Sequence, residues 1–149
     1  MGDREFDRGE RWYRSHFPSV AIRDQAAVRG PVAVGEASPY YLSHPHAAAR
    51  AAALVPGARI VAVLREPVAR AHSHYQERVR QGIEPLPTFA AAIEAEAARL
   101  AGEVERMLDD PAYVSWNHLN FGYLAQSDYA TGLGRWLGAY PADQVLVLR

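Results

Sequence analysis

The chain has 149 residues, of which 49% are hydrophobic and 22% charged, and its formal net charge is −1 at pH 7. This balance argues against a general nucleic-acid-binding protein, which would carry a basic excess. The chain has no cysteine, which excludes disulfides, thiolate metal sites and a cysteine nucleophile. No apolar run approaches the roughly 18 residues of a membrane-spanning helix, and the polar start MGDREFDRGE is unlike a signal peptide. We therefore expect one soluble domain, and the alanine- and arginine-rich composition, typical of bacterial proteins, favours the cytoplasm.

The first half of the chain alternates helical and extended patterns. Residues 8–17 are predicted to form a short amphipathic helix that Pro18 stops. Residues 31–36 (PVAVGE) are predicted to form a strand, and residues 45–54 an alanine-rich helix. The continuous apolar run at 60–64 (IVAVL) predicts a strand that is buried on both faces, as in a parallel sheet covered by helices.

The second half predicts two further helices after the one that follows this strand. That helix spans about 67–81 and is closed by Gly82. Thr88 is a candidate N-cap for a long helix that continues to about Leu108, and Ser127 for a helix that ends near Tyr140. The aromatic stretch before Tyr123 matches no element. Residues 144–148 (QVLVL) predict a third strand, and strands separated by helices imply a parallel sheet.

Each of the three predicted strands runs into a charged residue: Glu36, Arg65 and Arg149. In open α/β sheets ligands bind beyond the carboxyl ends of the strands, where charged side chains reach both scaffold and solvent. For any one of these residues, the alternative is an ordinary charge at a solvent-exposed strand end.

Two features favour a phosphate site at Arg65. Pro67 suits the first turn of a helix, so the helix is predicted to begin within two residues of the guanidinium. Its free N–H groups and positive dipole would then lie beside Arg65, an arrangement that suits a dianionic phosphate. Ser73 lies eight residues further on, about two helical turns away, where its hydroxyl could join the same anion. A surface serine is the alternative for Ser73.

The stretch RIVAVLREPVARAHSHYQ resembles the 3′-phosphate-binding segment of sulfotransferases that use 3′-phosphoadenosine 5′-phosphosulfate (PAPS). In that family an arginine at a strand end and a serine eight residues later hold the 3′-phosphate, and Arg65 and Ser73 match both types and the spacing. The segment VGEASPYYL is similar to the one that carries the catalytic glutamate of heparan-sulfate-type and related bacterial sulfotransferases, which maps onto Glu36. The stretch DYATGLGRWLGAYPADQVLVLR resembles the helix and strand that lead toward the family's second 3′-phosphate loop. The resemblance extends from about residue 6 to the end.

The resemblance implies an α/β three-layer sandwich with a parallel sheet, the P-loop-NTPase-like sulfotransferase fold, in an incomplete form. Residues 1–149 would make up a single partial domain. The implied reaction is direct transfer of a sulfuryl group from PAPS, without a metal, to a hydroxyl or amine of an acceptor, with carbohydrates among the candidates. Glu36 is expected to act as general base, and Arg65 and Ser73 to bind the cofactor. Neither a nucleic-acid nor a membrane partner is expected.

The sequence also departs from the family pattern. Family members carry a strand and a loop that clamps the 5′-phosphosulfate before the catalytic glutamate, and nothing before Glu36 resembles it. No G-x-x-x-x-G-K-[ST] loop occurs. The family continues past the last strand, where this chain stops, so we interpret the sequence as truncated at both ends. One alternative is an inactive remnant that binds a nucleotide or a partner weakly. Another is an unrelated nucleotide-dependent phosphotransferase, which the missing phosphate loop disfavours.

Two further groups of residues are candidates for ligand binding. The histidine pairs have an i, i+2 spacing that points helical side chains roughly 200° apart, which disfavours a metal site; they are His44 with His46, and His72 with His74. Four aromatic residues are candidates for an acceptor groove, although core packing is the simpler explanation for most; they are Tyr40, Tyr41, Trp116 and Tyr123.

Overall fold

The computed structural model describes residues 8–149, so most of the polar start MGDREFDRGE, and residues 6 and 7 of the region of resemblance, lie outside the described residues. The described chain is mostly helical. Its helices are α1 Gly9–Arg14, α2 Val20–Ala27, α3 Ala47–Leu54, α4 Pro67–Arg80, α5 Phe89–Leu100, α6 Glu103–Asp109, α7 Trp116–Phe121 and α8 Tyr129–Ala139. Short 3₁₀ turns lie at Pro39–Leu42, Ala125–Ser127 and Ala142–Gln144, and the strands are β1 Ile60–Val63 and β2 Val145–Leu148. None of the helices among these residues has the length and apolar character of a membrane-spanning segment.

The predicted parallel pairing of the second and third strands is confirmed. β1 and β2 pair in parallel from Ile60 opposite Val145 to Val63 opposite Leu148. The ladder continues one residue further, because the N–H of Leu64 donates to the carbonyl of Leu148 at 2.8 Å. Both strands therefore end at the same edge of the sheet, and the residues that follow them lie side by side.

The predictions of a strand at 31–36 and of a sheet that includes it are wrong. The sheet of the described residues has two strands, and residues 31–38 pair with neither. A strand exists only through its ladder, and an extended segment with alternating small apolar residues forms none unless an edge lies beside it. Val32 and Val34 remain 44% and 42% exposed. The described residues thus show a mostly helical α/β arrangement with a small two-stranded parallel sheet.

The predicted burial of the middle strand is also wrong. Val61 and Val63 of β1 are 58% and 75% exposed, whereas Ile60 packs against a cluster between α3 and α8. One face of the sheet is therefore covered by helices and the other is open within the described residues.

Helix ends follow local capping signals, with two differences from the prediction. Thr88 caps α5, since its hydroxyl accepts the N–H of Ala91 at 3.2 Å, and α4 ends before Gly82, whose φ is +70°. The predicted long helix to Leu108 breaks at Gly102, which adopts a φ of +74° and separates α5 from α6. Asp128, one residue after the predicted Ser127, caps α8 by accepting the N–H of Thr131 at 3.3 Å.

The buried hydrophobic residues of the described chain form two clusters. The first joins α4 and α5 to the end of α7 and the residues after it; its buried members are Ala71, Tyr75, Ala92, Phe121 and Tyr123. The second joins α3 to α8; its buried members are Ala47, Ala48, Trp136 and Tyr140. The strand-to-helix turn between β1 and α4 lies where the chain passes from the second cluster to the first.

Two glycines of α8 give a matched test of the packing in the second cluster. A Cβ at Gly132 would lie 2.6 Å from the carbonyl oxygen of Leu42, whereas at Gly134 nothing lies within 4 Å. We expect Gly132→Ala to destabilise the protein by about 1–3 kcal/mol through overpacking. Gly134→Ala should stabilise it by up to about 1 kcal/mol, because alanine is favoured in a helix interior. Urea unfolding followed by circular dichroism measures both, and an unchanged midpoint for Gly132→Ala would contradict the close approach.

Candidate functional site

Arg65 and Arg149 lie together at the carboxyl edge of the sheet. The parallel register carries β1 into Leu64 and Arg65, and β2 into Arg149. Hydrogen bonds from two backbone N–H groups lower the pKa of Glu66, and the positive charges of Arg149 and Arg65 lower it further. Both guanidinium groups therefore lie near the same carboxylate. The backbone of Arg65 is fixed from the side, since Tyr129 donates its phenol O–H to the Arg65 carbonyl at 2.9 Å. The structure therefore presents two exposed arginines at one edge.

The amides at the start of α4 are not free, contrary to the prediction of free N–H groups beside Arg65. Glu66 caps the helix, and its carboxylate accepts the N–H groups of Val68 at 3.0 Å and Ala69 at 2.6 Å. Pro67 has no N–H, and the N–H of Arg70 already donates to the Glu66 carbonyl at 2.9 Å. Each amide of the first turn is thus satisfied within the chain, so an anion at this edge has to be held by side chains.

Ser73 lies in α4 and is exposed. It does not belong to the lining of the large cavity that Arg65 borders. The structure thus places the two predicted 3′-phosphate residues on one strand-to-helix unit, with Arg65 at the cavity and Ser73 on the outer surface of the helix.

Glu36 and Arg65 line the same cavity. It has a volume of about 1410 Å³ and lies between residues 33–39, β1, α3 and α8. Its lining contains one acidic residue, Glu36, and six arginines: Arg14, Arg23, Arg50, Arg59, Arg65 and Arg70. For a chain whose net charge is −1, this is a strong local excess of positive charge. Such a cavity attracts anionic ligands.

Two tyrosines from other elements line a pocket together with Glu36. Tyr13 of α1 donates its phenol O–H to Glu36 Oε1 at 2.6 Å. Burial, and then this hydrogen bond, raise the pKa of Tyr13 above its ordinary value. Tyr41 also lies beside the carboxylate: burial, followed by the negative charge of Glu36, raises the pKa of Tyr41 to about 12. The sequence does not point to Tyr13, because no local pattern links it to Glu36, which lies 23 positions further along the chain.

Arg70 is a second residue that the sequence analysis missed. Its guanidinium donates to Ser127 Oγ at 2.7 Å, to the carbonyl of Gly122 at 3.4 Å and, over a shorter distance, to the carbonyl of Tyr123. Burial lowers the pKa of Arg70, but the side chain remains charged at any working pH because arginine titrates so high. Arg70 therefore joins the start of α4 to the turn after α7, next to the cavity.

The other ligand-binding candidates lie mostly elsewhere. Among the four aromatic residues only Tyr41 borders the cavity, whereas Tyr123 is buried in the first cluster and donates to Glu84 at 2.7 Å. Tyr40 shares a hydrogen bond of 2.7 Å with His118, and Trp116 is 48% exposed. Among residues 8–149, no group of three histidine, aspartate or glutamate side chains is arranged to hold a metal ion.

Comparisons with known proteins identify relatives along almost the whole chain. It is 28% identical over 144 residues to the human heparan sulfate glucosamine 3-O-sulfotransferase 3B1, covering 97% of this chain and 31% of that protein. It is 32% identical over 148 residues to the bovine bifunctional heparan sulfate N-deacetylase/N-sulfotransferase 2, covering 96% and 14%. It is 22% identical over 208 residues to the membrane-associated sulfotransferase kil1 of Dictyostelium discoideum, covering 97% and 43%. No protein-family model and no solved structure matches the chain.

The chain is therefore a distant homologue of the heparan sulfate sulfotransferases over nearly its whole length, and the resemblance identified from the sequence is confirmed. It spans 31% or less of the length of the heparan sulfate enzymes named here.

The contacts of Arg70 predict a large effect on stability. Arg70→Met leaves three acceptors without their charged donor, and we expect a loss of about 1.5–3 kcal/mol. Arg70→Lys should restore only part of this, because a single ammonium cannot reach the same set of carbonyls as the guanidinium fork. Arg80 of the same helix is the matched control, since it is exposed and bonds Glu77 one turn away. Arg80→Met should leave the urea midpoint nearly unchanged. A similar change of the midpoint in Arg70→Met and Arg80→Met would contradict the stabilising role of the Arg70 contacts.

Proposed function

We propose that the chain is part of a sulfotransferase that transfers a sulfuryl group from PAPS to a hydroxyl or amine of a glycan acceptor. The supporting observation is the shared cavity, which is bordered by both Glu36 and Arg65 in a chain homologous to sulfotransferases. The acceptor class follows the relatives, whose names specify heparan sulfate. We further propose that residues 1–149 form one partial sulfotransferase domain, and that it works in the cytoplasm on the compositional grounds given above.

The nucleotide end of the proposed site is the carboxyl edge of the sheet. Arg65 and Ser73 hold the 3′-phosphate, and Arg149 adds positive charge at the same edge. Because the first-turn amides of α4 are bonded to Glu66, the guanidinium groups carry the recognition. A planar guanidinium donates two parallel hydrogen bonds to a phosphate, which supplies both affinity and orientation.

The acceptor end of the proposed site is Glu36. As the acceptor oxygen or nitrogen attacks sulfur, Glu36 takes its proton. The new bond to sulfur forms while the bond between sulfur and the 5′-phosphate oxygen of PAPS breaks, which releases 3′-phosphoadenosine 5′-phosphate (PAP). Negative charge grows on the leaving phosphate oxygen as this bond breaks, and a nearby cation would stabilise it.

Binding of PAP tests the nucleotide assignment without any turnover. Arg65→Ala removes a charge-assisted contact to a phosphate and should weaken PAP binding roughly 10- to 150-fold in a calorimetric titration. Ser73→Ala removes a weaker hydroxyl contact and should cost less. Arg80→Ala, on the same helix and paired with Glu77, is the control and should bind PAP like the wild type. Wild-type affinity in Arg65→Ala would rule out the assigned phosphate site.

Turnover tests the base. Glu36→Gln keeps the size and hydrogen-bonding shape of the side chain but cannot take a proton. We expect nearly unchanged PAP affinity and a turnover lowered by about 10²–10⁴-fold, measured with PAPS and a desulfated heparan oligosaccharide. Equal turnover by Glu36→Gln and the wild type would show that Glu36 is a structural residue and not the base. Arg65-dependent PAP binding without any transfer by the wild type would favour the inactive, nucleotide-binding homologue instead.

A further inference from the structure

The carboxylate of Glu36 lies on a segment that no sheet ladder holds in place. Residues 31–38 contain no helix or strand, and residues 31–37 are exposed. A general base has to keep its oxygen within hydrogen-bonding distance of the acceptor proton, and a displacement of about 1 Å costs much of the rate. The side-chain contacts of Glu36 must therefore supply the order that the backbone lacks.

We propose that Tyr13 and Tyr41 are positioning residues for Glu36, which fix its carboxylate toward the acceptor through their phenol groups. The inference rests on the proposed function, because it assumes that Glu36 is the base. It assigns a role to the hydrogen bond of 2.6 Å between Tyr13 and Glu36 Oε1, which connects α1 to the cavity wall.

Tyr41 ties the carboxylate to the core. Its side chain packs against the cluster of Ala47, Ala48, Trp136 and Tyr140, and the indole N–H of Trp136 donates to the Tyr41 carbonyl at 3.3 Å. The position of this phenol is therefore set by α3 and α8, the same helices that border the cavity and cover β1.

Tyr13 approaches the carboxylate from α1. Its ring packs edge-on against Phe17 at a centroid distance of 5.0 Å, and both rings border a smaller pocket of about 550 Å³ that also includes Glu36 and Tyr41. The two phenols thus lie in one pocket with Glu36 and come from separate elements. A carboxylate has about four lone-pair positions, so the hydrogen bond from Tyr13 leaves room for an acceptor hydroxyl.

Both phenols remain protonated donors over the working pH range. Burial and the Glu36 charge raise the pKa of each, Tyr41 to about 12. The charged or titratable groups that act on Tyr13 are Glu36, Tyr41 and Arg14, and of these only Arg14 lowers its pKa. Each phenol therefore keeps its proton over this range and does not compete with Glu36 for the acceptor proton.

The kinetic test compares Tyr13→Phe and Tyr41→Phe with a matched control. Tyr113 also donates its phenol to a glutamate, Glu103, at 2.8 Å, but it does not border the cavity. We expect each of the first two changes to lower kcat about 10-fold or more, with PAP affinity unchanged. Tyr113→Phe should leave both unchanged. Wild-type kcat in both Tyr13→Phe and Tyr41→Phe would overturn the inference while leaving the proposed function intact.

A spectroscopic test needs neither PAPS nor turnover. An ultraviolet titration measures the ionisation of the tyrosines, and the difference between the wild type and each phenylalanine variant isolates Tyr13 or Tyr41. We expect the pKa of each to lie above the ordinary tyrosine value of about 10. Glu36→Gln removes the negative charge and should shift both toward lower pH, and Tyr113→Phe should not alter either. Ordinary titration of both phenols in the wild type would overturn the inference. A wild type without transfer would overturn the proposed function and this role together.

Discussion

The turn between β1 and α4 is held by one chain segment, and the geometry of the nucleotide end depends on that support. Arg70 donates to the carbonyl of Tyr123, Ser127 donates to the carbonyl of Pro67 at 3.2 Å, and Tyr129 donates to the carbonyl of Arg65 at 2.9 Å. The turn and the first part of α4 are thus tied to the chain between α7 and the start of α8. Because the side chains of Ser127 and Tyr129 bond backbone carbonyls of Pro67 and Arg65, they help to set the direction in which Arg65 leaves the sheet.

The two ends of the proposed site are ordered by different means. The arginine end follows from a parallel ladder and a capped helix, which constrain the backbone strongly. The glutamate end rests on side-chain contacts from α1 and the 3₁₀ turn to a segment without a ladder. The proposed donor end is therefore ordered by the backbone, and the proposed acceptor end by side-chain contacts. This division suits a transfer in which one nucleotide is always the donor while the acceptor group must be brought into line with it.

The parts of this arrangement that the sequence predicted are the ones set by local chemistry. The β-branched run at 60–63, Pro67 at the start of α4 and Gly82 after its end are all short-range signals, and the structure has each of them. The strand predicted at 31–36 failed because pairing depends on a partner edge that the segment's own residues do not specify. The contact between Tyr13 and Glu36 was missed for the same reason: it joins two exposed segments through tertiary structure.

The Glu66 cap has the largest consequence for recognition. The same sequence, an arginine followed by glutamate and proline, suggested a helix end open to phosphate, but the carboxylate bonds both available amides. A free helix end would offer directed N–H donors, which a lysine beside it could supplement with charge alone. With those donors taken, the direction of the hydrogen bonds to an anion has to come from the side chains themselves. Arginine provides it through its planar fork, and lysine does not. A chain that has 16 arginines and no lysine is suited to this constraint, and six of the arginines line the cavity together with one carboxylate.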